Sequence, residues 1–183
     1  MTICKQVLAT LGLTLLGLAA SSGAIAASKA AIDVAVIDAL KPFYAGKPEH
    51  RDLASRAAGV LVFPKITKGG VGIAGEYGEG VLQIDGKTVD YYSIGGGSVG
   101  LTLGVAQRSE IIMFMTRESL AKFVESKGWT VGADTGVAVV SEGAGGVYDT
   151  KTLQRPIIGF VYGEKGLMGD ISLEGSKITK LDK

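Results

Sequence analysis

Apolar residues change their spacing at Gly59, and that change divides the chain into two kinds of structure. Before it, Ile32, Val36 and Leu40 recur every fourth residue and Ala39 and Phe43 widen the stripe, while Lys29, Asp33, Asp38 and Lys41 lie off it. This pattern predicts a helix over Ser28–Tyr44, which Pro42 should kink or stop. A second short helix is expected over Glu49–Ala58, with Pro48 at its first turn.

From Gly59 the period is two. Val81 to Ile84 and Thr88 to Ser93 flank Asp85-Gly86, a hairpin signal because glycine tolerates the positive φ of a primed turn. Val99, Leu101, Leu103 and Val105 fall on one side of a strand, and Ile111 to Met115 reads as a fully buried one. Thr116 should then cap a helix over Arg117–Ser126 that buries Leu120, Phe123 and Val124 and stops at Gly128. Further strands are expected at Trp129 to Gly132, Val137 to Val140, Ile157 to Tyr162 and Leu167 to Leu173. The class is α+β: a strongly bent, mainly antiparallel, glycine-rich and barrel-like sheet with N-terminal helices and one inserted helix.

Glycine supplies the reason for the bending. It occupies 13 of the 46 residues from Gly59 to Gly104, yet Val, Ile and Leu fill the gaps as no flexible linker would. Glycine weakens a strand, so its repeated use signals bulges, tight curvature or close backbone approach.

Residues 1–26 read as a secretory leader. Lys5 forms a short positive region, Val7 to Ala20 is apolar, and Ala24-Ile25-Ala26 is an A-x-A cleavage signal. The apolar run is shorter than the roughly 20 residues that span a bilayer. Cys4 precedes that run instead of following it, which is the wrong place for a lipidated cysteine. Cleavage after Ala26 leaves residues 27–183 as one domain, with no cysteine to form a disulfide. Without Lys5 the 19 basic side chains become 18, against 18 acidic, so the domain lacks the basic excess of a nucleic-acid ligand. The expected location is the periplasm or outside the cell, peripheral to a membrane.

The candidate chemistry is sparse. Gly70-Val-Gly-Ile-Ala-Gly75 matches a dinucleotide fingerprint, but that motif needs a helix directly after it, and Glu76-Tyr-Gly-Glu-Gly80 breaks one. Glu76 and Glu79, three apart on a strand, face opposite sides and make a poor glycosidase pair. His50, the single histidine, sits in the polar run Pro48–Asp52, where an exposed side chain is expected. No cofactor and no metal site are indicated. Gly95-Gly-Gly-Ser98 reads as a tight bend between strands, or an anion nest. Lys65 and Lys68 bracket Ile66 in a loop after Pro64, an arrangement suited to an anionic surface.

Several segments in order resemble the SYLF domain, a lipid-binding module of bacterial secreted and eukaryotic membrane-trafficking proteins. They are Ala57-Ala-Gly-Val-Leu-Val-Phe-Pro64, Gly75-Glu-Tyr-Gly-Glu-Gly-Val-Leu82, Tyr91-Tyr-Ser-Ile-Gly-Gly-Gly-Ser98, Met113-Phe-Met-Thr116, Gly128-Trp-Thr-Val-Gly132, Lys165-Gly-Leu-Met-Gly169 and Leu173-Glu-Gly-Ser-Lys-Ile-Thr179. The resemblance spans about Leu40 to Leu181. It implies a non-enzymatic protein that binds phospholipid, phosphoinositide in eukaryotic members, through basic residues and an amphipathic segment. Some fungal members bind actin. A copy outside the cytoplasm meets neither actin nor, in most bacteria, phosphoinositide, so anionic glycerophospholipid is the expected partner; protein partners stay open.

The residues expected to carry binding are Arg56, Lys65 and Lys68 on lipid phosphates, with Ile66 dipping into the acyl boundary. Three basic contacts at about 1 kcal/mol each are weak alone, so an apolar element must join them. A lipid tail held inside the curved sheet is the other arrangement. The rival readings are a small outer-membrane β-barrel, whose strands should run about 9–11 residues where these look shorter, and a hydrolase using His50 or the paired carboxylates.

Overall fold

Two strands carry most of the sheet. The computed structural model describes residues 27–131, 136–141, 150–166 and 175–183. In it β1 (Gly59–Ile84) and β2 (Lys87–Phe114) run 26 and 28 residues and pair antiparallel along almost their whole length. The turn between them is Asp85-Gly86, both at positive φ (51° and 71°), as the sequence predicts. The strands are therefore longer than expected, because the glycines bend them without ending them.

A straight strand of 26 residues would span roughly 85 Å. This one folds back so that its second half lies against its first. A Cβ on Gly80 would stand 2.2 Å from the Val62 carbonyl oxygen, and one on Gly78 would stand 2.8 Å from Ile66 Cγ1. Only bare backbone fits there. The corner of the fold lies at Gly69–Gly75, where the register shifts between Val71 and Ile73 and Gly72 takes a φ of 73°. The fingerprint-like glycines thus serve a bend in a continuous strand.

The rest of the sheet is added to the free edge of β2. β5 (Ile157–Gly166) pairs with residues 106–114 and β6 (Lys177–Lys180) with residues 92–95, both antiparallel. β3 (Trp129–Thr130) pairs with β6, and β4 (Ala138–Ser141) lies parallel to β5. A one-turn helix, α4 (Thr150–Leu153), precedes β5. The strand expected at Leu167–Leu173 lies outside the described residues, as does Gly132 of the one expected at Trp129–Gly132.

Each face of the curl has its own core. The inner face holds Leu61, Phe63, Ile66, Leu82, Ile94 and Ile112 together with Trp129 and Ile178. It is capped by α3 (Arg117–Glu125) through Phe123. The cap residue is Thr116, whose Oγ1 accepts from the Ser119 N–H at 3.1 Å. Val124, which the sequence pattern places inward, is instead 41% exposed, while Phe123 and Leu120 make the apolar α3 contact. The outer face, with Val60, Val62, Val81, Ile111 and Met113, is covered by α1 (Lys29–Gly46) through Ile32, Val36, Leu40 and Phe43.

Pro42 does not end α1. The buried Phe43 ring holds the last turn, and the Tyr162 hydroxyl donates to the Ala39 carbonyl at 2.8 Å. α2 (Pro48–Arg56) follows and packs Leu53 and His50 onto the same core.

Candidate functional site

His50 is buried, contrary to its polar surroundings in sequence. Its ring stacks on Phe43 at 3.9 Å between centroids and 8° between planes, and Nδ1–H donates to the Phe43 carbonyl at 2.7 Å. Helical geometry explains the reversal, since His50 and Leu53 are three apart on α2 and share its inward face. The ring is a packing element and its Nδ1 is committed to the backbone.

The paired carboxylates do fall on opposite faces of β1. Glu76 points inward, where Arg108 Nη1 meets its Oε2 at 2.9 Å and the Ser176 hydroxyl donates to its Oε1. Arg108 Nε also binds Glu110 Oε1 at 2.7 Å. Gly96, directly across from Glu76, leaves room for this cluster, because a Cβ there would approach Glu76 Oε1 to 3.0 Å. The Gly95–Ser98 run therefore lies within β2 instead of forming a bend between strands. Desolvation pushes the fully buried Glu110 carboxyl up to about 7 against the pull of Arg108. Among the described residues, Arg108 Nη2 and Glu110 Oε2 have no hydrogen-bond partner.

The residues expected to bind lipid do not form one cluster. The segment after Pro64 is strand with a bulge between Phe63 and Ile66, and Ile66 is wholly buried in the inner core against the bare backbone of Gly78. It is unavailable to a membrane. Lys65 is exposed and lies on the α1 side of β1; Lys68, three residues on, is half-buried and alternates to the inner side. Arg56 sits at the end of α2 in an exposed pair with Asp52 at 2.9 Å. It borders a cleft of about 520 Å³ with Arg117 and Asp85. The strand from Gly59 to Lys65 places it roughly 20 Å from Lys65.

Exposed apolar side chains lie elsewhere. At the corner of the β1–β2 ribbon, Val71, Ile73, Leu103 and Val105 are 78%, 70%, 74% and 59% exposed. Val71 pairs with Leu103 and Val105 with Gly69, so these three share a face; the register shift returns Ile73 to it. That is the outer face, beyond the cover of α1. Half-exposed Tyr77 continues it toward Glu79. Four such side chains present on the order of 500 Å² of apolar surface, a size that marks an interaction site on a soluble protein.

The surroundings suit an anionic partner. Residues 65–75 contain two lysines and no acid, and residues 95–107 carry no charge. Lys165 on β5 pairs with Gln107, which shares the outer face with Thr67 and, two residues back, Lys65; both lysines are exposed. Their Cα atoms stand on the order of 12 Å apart by strand spacing. Neither Lys165 nor the corner stands out in the sequence. The alternation of Leu103 and Val105 was visible, but period two reads the same on a core face and on an exposed one.

Among the described residues the inner face carries the core side chains Ile66, Leu82 and Ile94 together with the ion cluster. Among the described residues no group of three His, Cys, Asp or Glu is placed to hold a metal, and no helix is long and apolar enough to cross a membrane.

A family model described as "Ysc84: Las17-binding protein actin regulator" matches residues 95–183. This stretch runs from the middle of β2 to the last residue and includes Leu103, Val105 and Lys165. No curated protein matches the chain.

Proposed function

We propose that the corner of the β1–β2 ribbon is the surface with which this protein enters a membrane, a reading supported by the match of residues 95–183 to the Ysc84 (SYLF) family of lipid-binding domains. Val71, Ile73, Leu103 and Val105 insert among the acyl chains, and Lys65 and Lys165 sit over anionic glycerophospholipid headgroups. The protein acts without catalysis, on the outer side of a bacterial cytoplasmic membrane, after its leader has been removed. The single observation that carries this reading is the exposed apolar corner itself.

Magnitudes rank the two contributions. Burying half of roughly 500 Å² gives about 6 kcal/mol at about 25 cal/mol/Å². Two lysines near an anionic surface add about 2. Apolar insertion dominates. The outer face also argues against a membrane-spanning barrel, which turns that face to lipid; here α1 occupies most of it. The family description names an actin regulator, and the leader argues that this chain and actin occupy different compartments.

The test is flotation with vesicles containing phosphatidylglycerol. A Val71→Ser/Leu103→Ser double variant keeps the fold, since both side chains are exposed, and should lose at least tenfold in partitioning. Wild-type partitioning in that variant would remove the corner from the site. Binding lost by Arg56→Ala instead would move it to the far end of β1.

A further inference from the structure

Two independent features converge on Ala27. The A-x-A signal at Ala24–Ala26 sets the expected cut immediately before it. In the fold, the Ala27 nitrogen donates to Glu79 Oε2 at 3.1 Å. Glu79 is far away in sequence and points to the outer face of β1, beside the start of α1. Its other oxygen, Oε1, accepts from the Tyr77 hydroxyl at 2.9 Å. Lys183 Nζ binds Oε2 at 3.0 Å and also donates to the Ala27 carbonyl. The carboxylate of Glu79 is 8% exposed and the Lys183 side chain 13%. A nearly buried acidic group is therefore in place around the atom that cleavage would charge.

We propose that removal of the leader is also a structural step: the α-ammonium released on Ala27 is captured by Glu79, and the resulting Ala27–Glu79–Lys183 cluster fixes α1 on the sheet. Water adds across the Ala26–Ala27 amide under an envelope peptidase that reads small residues. The C–N bond breaks, the hydroxyl goes to the Ala26 carbonyl carbon, and the Ala27 nitrogen takes up protons to become ammonium. Before the cut, that nitrogen is a neutral amide donor and Glu79 is paired with Lys183. After it, the same nitrogen carries a full charge at hydrogen-bond distance from the carboxylate, a geometry in which charge roughly doubles the strength of the bond.

Position gives the capture its effect. Ser28, the next residue, caps α1 by accepting from the Ala31 N–H at 3.2 Å. Ala27, Ala31 and Ile32 then border a groove of about 290 Å³ that they share with Lys65, Tyr77 and Glu79. Anchoring Ala27 thus fixes the edge of the outer face next to the exposed corner. Lys183 and the Tyr77 hydroxyl already hold Glu79 below the usual carboxylate range, against the opposing effect of burial. The pair is complete only between two limits. It is lost as pH falls through the lowered Glu79 value, and as pH rises through the amine value, which pairing raises above its ordinary figure of about 8.

The experiment uses the full chain exported by a bacterial host and purified after processing. Intact mass and N-terminal sequencing should give a chain beginning at Ala27; any other start overturns the proposal. A Gly-Ser insertion between Ala26 and Ala27 moves the new ammonium two residues from Glu79. It should lower Tm by several degrees in the wild-type background and by far less in Glu79→Gln. Equal losses in both backgrounds would show that Glu79 does not hold the terminus. Titration of the isotope-labelled Ala27 amine by NMR should give a value above about 8 in the wild type and an ordinary one at the new terminus of the inserted variant. That readout stands even if Glu79→Gln fails to fold, and equal values in the two proteins would overturn the capture.

Discussion

At the scale of single residues, Gly80 and Gly75 separate two uses of glycine within one strand. A Cβ on Gly80 would meet backbone at 2.2 Å and the Phe63 ring at 2.6 Å, whereas one on Gly75 would meet nothing within 4 Å. Gly80→Ala should therefore destabilise by about 3 kcal/mol or more through overpacking, and Gly75→Ala by less than about 1. Urea unfolding of the two variants checks this, and similar losses would mean that the halves of β1 do not meet as described. Glu110 makes a second residue-scale prediction. Its carboxyl titrates at about 7 in the fold, above its ordinary value of about 4.3. Folding thus holds the proton more tightly, so this stabilisation is complete below about pH 4 and is lost as pH rises through 7. Wild-type Tm should fall between pH 5.5 and 8, by the equivalent of roughly 2 kcal/mol. Glu110→Gln keeps an acceptor for Arg108 Nε and should flatten that slope; an unchanged slope would place the titration elsewhere.

At the scale of elements, the helices followed their sequence signals closely because their signals are local. Ser28 and Thr116 cap α1 and α3 with side chains three residues from their partners, and no distant residue is needed to recognise either. Thr116→Ala should cost about 1 kcal/mol of stability, read as a lower midpoint in urea with an unchanged slope. Thr116→Ser should restore most of it. The strands were legible in type but not in extent. Nothing local distinguishes a glycine that ends a strand from one that bends it, and Pro64 looked like a turn although the strand absorbs it in a bulge. There the Ser109 hydroxyl donates to the Pro64 carbonyl at 2.8 Å, a partner 45 residues away. The short strand β6, Lys177–Lys180, was not read as a strand at all; its one buried side chain, Ile178, leaves almost no alternation to detect.

At the scale of the whole molecule, the curl of one long hairpin sorts apolar side chains into two cores and one exposed corner. Apolar insertion and surface charge then make separable predictions for membrane binding. A Lys65→Ala/Lys165→Ala double variant should bind phosphatidylglycerol vesicles roughly tenfold or more less tightly at low ionic strength. The deficit should shrink toward none at 0.5 M salt, where screening shortens the reach of charge to a few ångströms. The Val71→Ser/Leu103→Ser deficit should persist at both. A lysine deficit that ignores salt would mean that these side chains contribute packing and not charge.

The chain by itself determined what depends on near neighbours and on period: a helix expected over Ser28–Tyr44 and found at Lys29–Gly46, a capped helix expected over Arg117–Ser126 and found at Arg117–Glu125, the Asp85-Gly86 hairpin, and a bent antiparallel glycine-rich sheet. It also carried the family resemblance, which rests on short segments in a fixed order. Tertiary structure decided which apolar residues are covered. Ile66 and Val71 are both aliphatic residues in a glycine-rich strand with lysines nearby, and the sequence favoured Ile66 for the surface. The fold reverses that choice, because Gly78 from the returning half of β1 lies against Ile66 while Val71 is left 78% exposed. His50 changed sides for the same reason, since the Phe43 ring that covers it belongs to another helix. Period fixes a side chain's face, but only the packing of distant segments fixes whether that face meets water, core or membrane.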